Sequence, residues 1–168
     1  MLIDSCIDIF KHEPVKIFSL LTLCLGYLFG VNSITMLGLL GINVSYYAIK
    51  VEHNARLTGK NNSMCDFNDK ASCSRVLTSE YSRIFFNVPN TWFGFLFYLA
   101  VCIYPMWPFI LIPYREMLFF MASTFSIMFS GYLAFVLYFK LQDVCVVCIA
   151  SWIINAMIFY HSYYELFY

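Results

Sequence analysis

Four stretches of this chain carry no charged side chain, and they limit its folding more than any other feature. They lie between Lys16 and Lys50, Arg83 and Arg115, Glu116 and Lys140, and Asp143 and Glu165. A helix needs about 20 apolar residues to cross roughly 30 Å of hydrocarbon, and each window is long enough. Lipid offers backbone groups no hydrogen bonds, so such windows read as helices. With 61% hydrophobic and 12% charged residues, the 168-residue chain is far from the composition of a water-soluble domain. The expectation is an all-α membrane protein, a single domain over 1–168 built as a four-transmembrane-helix bundle in lipid. A net charge of zero and the lack of any basic run leave nucleic acid out as a partner.

Two windows exceed one crossing. Ile17–Ile49 is expected to hold an interfacial helix (or N-terminal extension, residues 1–30) followed by a span near Val31–Ile49, or else a single tilted helix with its end protruding. It is read as a retained anchor, since the N-terminus lacks a signal-peptide pattern. The second window opens with "IFFNVPNTWFG", where Asn87, Pro89 and Asn90 break helical continuity, so its span is expected from about Thr91. It should end near Pro105, Pro108 or Pro113. Gly26 and Gly30, and then Ser126, Ser130 and Ala134, place small residues four apart, which lets helices approach closely.

One connection is polar, Lys50–Asn90. It holds six of the ten Lys and Arg residues and two of the seven cysteines. "RLTGKNN" reads as flexible and "SRVLTSEYSRIF" as a short amphipathic helix ended by Pro89. The positive charges place this loop on the cytoplasmic side. Dithiol chemistry requires the opposite, oxidising side. The cysteines are taken to decide, which makes 50–90 a luminal loop or cap.

Cys6, Cys24 and Cys102 are solitary and read as small hydrophobes. His12, His53 and His161 have no evident partners. The remaining cysteines form two pairs, Cys65 with Cys73 in the loop and Cys145 with Cys148 at the head of the fourth helix. Positions i and i+3 share a helix face, and the positive end of a helix favours thiolate. Asp143 is expected as the N-cap, Cys145 as the more accessible thiol and Cys148 as the deeper one, with Ser151 and Trp152 beside it. Three readings fit two cysteine pairs: a tetrahedral zinc site, static disulfides, and exchange-active dithiols. The spacing of eight between Cys65 and Cys73 suits zinc knuckles poorly. A dithiol on an aqueous loop beside another at the membrane boundary suits electron relay between a soluble thiol protein and a lipid-soluble oxidant.

"CDFNDKASCSRV" (Cys65–Val76), "NTWFGFLFY" (Asn90–Tyr98), "YLAFVLYFKLQDVCVVCIASW" (Tyr132–Trp152) and "IIN" (Ile153–Asn155) together resemble the vitamin K epoxide reductase family. The resemblance runs from about Tyr46 to Ile158 and leaves the first thirty residues uncovered. It implies a four-helix bundle in the endoplasmic reticulum membrane (or a bacterial plasma membrane) with its active-site loop luminal. It also implies a membrane thiol oxidoreductase that reduces vitamin K epoxide and/or quinone to the hydroquinone. Electrons would come from a luminal thioredoxin-like or disulfide-isomerase-like partner. No metal and no tightly bound cofactor is implied; the vitamin K quinone or epoxide is a substrate and the reductant is a thiol.

By position, Cys65 and Cys73 resemble the loop shuttle pair. Cys145 resembles the thiol that exchanges with it through a transient Cys73–Cys145 disulfide, and Cys148 the thiolate that attacks the substrate. Asn90 matches a substrate-binding asparagine, and Phe93 and Phe97 match apolar pocket walls. Asp66, Arg75 and Ser79 match polar residues supporting the cap. Trp152 stands where the vertebrate reductase has a substrate-binding tyrosine, and an indole N–H donates a hydrogen bond but cannot accept one. Leu77 replaces a pocket phenylalanine. The alternatives are a quinone-dependent disulfide-forming oxidase of the same fold, and a non-enzymatic tetraspan held by zinc or static disulfides.

Overall fold

The computed structural model describes residues 33–58, 66, 72–83, 88–106 and 111–168. The expectations for residues 1–30, for Cys6, Cys24 and Cys65, and for the Gly26/Gly30 pair lie outside the described residues. Among the described residues five α-helices run in chain order: α1 (Ser33–Thr58), α2 (Cys73–Thr78), α3 (Asn90–Ile103), α4 (Arg115–Val136) and α5 (Val146–Phe167). A 3₁₀ turn, Glu80–Ser82, follows α2, and a π turn, Leu137–Leu141, extends α4. No strand longer than a single bridge occurs among the described residues. The molecule is an all-α membrane protein.

The helix α1 has 26 residues, so it is about 39 Å long at 1.5 Å per residue. That exceeds the hydrocarbon layer by about 9 Å. The excess lies after Lys50, where the sequence predicted loop. Glu52 and Arg56, one turn apart and 2.9 Å from contact to contact, keep that end helical, and the Thr58 hydroxyl donates to the Asn54 carbonyl. The polar connection therefore begins after Thr58.

Within lipid, α1 packs against α3 through two glycines. A Cβ on Gly38 would meet the Cys102 sulfur and backbone, and one on Gly41 would meet the Tyr98 ring. Bare backbone at these positions lets the helices come close where lipid gives no hydrophobic push.

The helix α3 starts directly after Pro89 and ends at Ile103, with Tyr104 as its C-cap just before Pro105. These bounds are close to those predicted, but the length is not. Its 14 residues reach about 21 Å, short of a full crossing. Among the described residues, three helices are long and apolar enough to span: α1, α4 with its π turn, and α5. Their outer faces expose large apolar side chains such as Met121, Met128, Ile153 and Met157, as lipid-facing surfaces do.

The helix α4 begins after Tyr114, which has φ 59°, and its π turn stops at Gln142, with φ 52°. A non-glycine residue in this left-handed region ends a helix sharply at some steric cost. The chain then runs extended to Cys145. Two apolar clusters hold the molecule together. One, deep in the bundle, joins Ile34 and Leu37, Tyr98 and Val101, Phe119, and Ile154 and Ile158. The other roofs the bundle and joins Ala48 and Val51 of α1 with Cys73, Val76 and Leu77 of α2, Leu137 and Cys145.

Candidate active site

Between these clusters lies a cavity of about 220 Å³. Val44, Ser45 and Ala48 of α1 form one side, and Val76, Leu77 and Ser79 form the roof. Asn90, Phe93, Phe97 and Tyr98 of α3 face Phe125, Phe129 and Leu133 of α4 across it. Cys148, Ser151, Trp152 and Asn155 of α5 complete the wall. Its surface is mostly apolar, with a few polar groups at fixed places, which is the character of a site for a lipid-soluble ring.

Cys145 and Cys148 are joined in a disulfide, with Cα atoms 5.2 Å apart. Their placement corrects two expectations. The N-cap of α5 is Cys145, whose sulfur accepts from the Cys148 N–H at 3.3 Å, and not Asp143. Asp143 instead accepts from Arg75 of α2 at 2.7 Å. Cys145 is also the hidden thiol and not the accessible one. It is 0% exposed beneath α2, whereas Cys148 is half-buried and opens to the cavity.

The cause of both is that α5 starts one residue after Cys145. That sulfur therefore sits on the extended approach, packed in the same cluster as Cys73. Cys73 is likewise 0% exposed and disulfide-bonded, to a partner outside the described residues.

The other predicted residues divide by place. Asn90, Phe93, Phe97, Trp152 and Ser79 line the cavity, as does Leu77. The Asn90 amide donates to the Tyr81 carbonyl at 3.0 Å, and the Ser79 hydroxyl to the Val76 carbonyl at 2.7 Å. Asp66 and Arg75 do not line it; they hold the roof. Asp66 accepts from the Ser72 hydroxyl at 2.8 Å and from the Ser74 hydroxyl and N–H at 2.6 and 3.1 Å. Among the described residues no group of three His, Cys, Asp or Glu side chains gathers as a metal site would require.

Two polar groupings escaped the sequence reading. Glu52, 4% exposed, accepts from Arg56 and from the Thr91 hydroxyl at 3.2 Å, with Arg83 at 3.8 Å. In the cavity wall, the Tyr98 hydroxyl donates to the Asn155 side-chain Oδ1 at 2.8 Å, and the Asn155 side-chain Nδ2 donates to the Ser130 hydroxyl at 2.8 Å. A signal for the second existed, because an amide inside an apolar span is costly unless partnered and therefore marks an interior face. For Glu52 the only signal was Arg56 four residues on.

The vitamin K epoxide reductase family model matches residues 32–163, from the start of α1 almost to the end of α5. The chain belongs to the vitamin K epoxide reductase family. It is 33% identical over 134 residues to "Vitamin K epoxide reductase complex subunit 1" of Rattus norvegicus, covering 70% of this chain and 79% of that protein. To the protein of the same name from Mus musculus it is 35% identical over 134 residues, covering 70% and 78%. This vitamin K epoxide reductase family member is thus a membrane thiol oxidoreductase, and its Cys145–Cys148 disulfide borders an apolar cavity.

Proposed function

We propose that this protein reduces vitamin K epoxide and vitamin K quinone in the endoplasmic reticulum membrane, with electrons from a luminal thioredoxin-like or disulfide-isomerase-like protein. One observation carries the reading: of the two sulfurs in the Cys145–Cys148 disulfide, one opens to the cavity and the other is buried in the apolar cluster that also holds Cys73. Each sulfur thus faces one of the two exchanges that a relay requires.

In the reduced enzyme, the Cys148 thiolate attacks the bound ring. Cys145 then attacks the Cys148 sulfur, and the carbon–sulfur bond breaks with its electron pair left on the substrate. Two protons complete the step. Quinone leaves as hydroquinone, or epoxide as quinone and water, and the enzyme holds the Cys145–Cys148 disulfide. Asn90 and the Trp152 indole N–H stabilise the charge that develops on the ring oxygen, and such donors count for more in a dry pocket than in water. Phe93 and Phe97 hold the ring against the thiol.

Reduction runs the other way along the chain of sulfurs. The Cys73 thiolate attacks Cys145 and frees Cys148, Cys65 resolves the mixed disulfide, and the partner dithiol reduces the Cys65–Cys73 bond. Asp66, Arg75 and Ser79 keep the roof and its cysteine in place during the exchange.

Purified protein with dithiothreitol is expected to turn over both epoxide and quinone, and Cys148→Ala to abolish both. Retained turnover in that variant ends the proposal. In Cys148→Ser, a Cys73–Cys145 mixed disulfide is expected to accumulate.

A further inference from the structure

The carboxylate of Glu52 is almost fully buried at the aqueous end of α1, where it joins α1 to the start of α3 and to the segment after the 3₁₀ turn. One oxygen accepts from the Arg56 Nε at 2.9 Å on its own helix. The other accepts from the Thr91 hydroxyl at 3.2 Å, in the first turn of α3. The guanidinium of Arg83, just beyond the 3₁₀ turn, stands 3.8 Å from the same carboxylate. Arg56 adds a second tie to that turn through the Ser82 hydroxyl at 3.4 Å.

Asn90 sits at the centre of this arrangement. It precedes Thr91, and its amide donates to the carbonyl of Tyr81, inside the 3₁₀ turn. Glu52 therefore holds the segment that carries the Asn90 side chain and steadies the segment that supplies its acceptor, without lining the cavity itself. The tie to α3 is a hydrogen bond, whereas that to Arg83 is looser. The Arg83 Nε is buried and has no hydrogen-bond partner.

We infer that Glu52 is a positioning residue for the reduction, setting the direction of the Asn90 amide through Thr91 and the 3₁₀ turn. The inference rests on the proposed role of Asn90 as the donor to the substrate oxygen. A hydrogen bond to developing charge depends steeply on aim, so a small rotation of Asn90 lowers turnover while the apolar cavity still admits the ring. The dithiol lies at the head of α5 and is not among the partners of Glu52, which are Arg56, Thr91 and Arg83, so its chemistry with thiols is independent of the clamp.

The test uses the full chain in detergent or lipid with dithiothreitol and a short-chain quinone. Two rates are measured: quinone turnover, and dithiothreitol reduction of the Cys145–Cys148 disulfide with no quinone present. Glu52→Gln and Thr91→Val are each expected to lower kcat for quinone about tenfold with KM changed less than about threefold. Disulfide reduction should stay at the parent rate, and Thr91→Ser should restore turnover.

In an Asn90→Ala background, neither substitution should cost more than about twofold further, because the group they aim is gone. Thr91→Val removes one neutral hydroxyl at nearly constant shape, so it serves if Glu52→Gln fails to fold. Undiminished loss on top of Asn90→Ala, or no loss from Thr91→Val in the parent, overturns the inference while leaving the role of Asn90 intact. Quinone kinetics unchanged by Asn90→Ala itself overturn both.

Discussion

The ring of Tyr98 occupies the space that a Cβ on Gly41 would need, and its hydroxyl reaches across the bundle to Asn155. One glycine thus fixes how far α3 stands from α1, and so where the cavity wall lies. Gly41→Ala is expected to destabilise the protein by about 1–3 kcal/mol, the usual cost of overpacking, and to lower its thermal midpoint in detergent. Gly131 serves as the contrast, since a Cβ there meets nothing within 4 Å. Gly131→Ala should be neutral or stabilising by up to about 1 kcal/mol, through helix propensity alone. Equal effects of the two would mean that the close approach carries no weight. Sequence reasoning sought the small-residue seam at Gly26 and Gly30 and did not single out Gly41. Spacing marks where small residues lie but not which pair of helices they separate. The cysteines were legible because a dithiol at the head of an apolar window has few ordinary uses, whereas the greater burial of Cys145 depended on the starting residue of a helix.

At the scale of elements, α2 is the least self-sufficient part. Six residues are too few to hold a helix in water, so its shape comes from its attachments. Ser72 caps it, accepting from the Arg75 N–H; Asp66 gathers the hydroxyls of Ser72 and Ser74; and Arg75 ties it to Asp143. The Arg75–Asp143 pair is half open to solvent on the arginine side and contributes placement more than stability. Asp66→Ala leaves three donors without their acceptor, at a cost of about 1–3 kcal/mol. Amide exchange in α2 should then speed up about tenfold or more while that in α5 is unchanged, and reoxidation of a reduced Cys145–Cys148 pair by quinone should be spared. Uniform acceleration through all helices would show that α2 unfolds only with the whole molecule. The sequence suggested one amphipathic helix over "SRVLTSEYSRIF", but Ser79 interrupts it with an extended backbone (ψ 161°) and its hydroxyl turned back on Val76. Serine competes for backbone partners in this way, and apolar periodicity does not register it. The assignment of Asp143 as a cap failed for a related reason: its actual partner is 68 residues away in sequence.

The whole molecule is assembled around α1, which packs on α3, on α5 and on α2, while α4 packs chiefly on α5. The four apolar windows made the helical bundle legible, and the same windows overstated α3, whose flanking prolines leave only 14 residues of α-helix. On the proposed reading the roof faces the lumen, against the count of charges. An Asn-x-Ser acceptor inserted after Gly59 is expected to receive a glycan in a eukaryotic microsome. An unmodified loop would place Cys73 among reduced cytosolic thiols and break the electron path. The central place of α1 also bears on biogenesis. Among the described residues the ribosome delivers the α1 scaffold, then the roof with Cys73, then the wall bearing Asn90, and only with the last helix the sulfur that faces the cavity. On the proposed reading, a nascent chain does not turn over quinone until its final helix has docked, so turnover is switched on by completion of the fold.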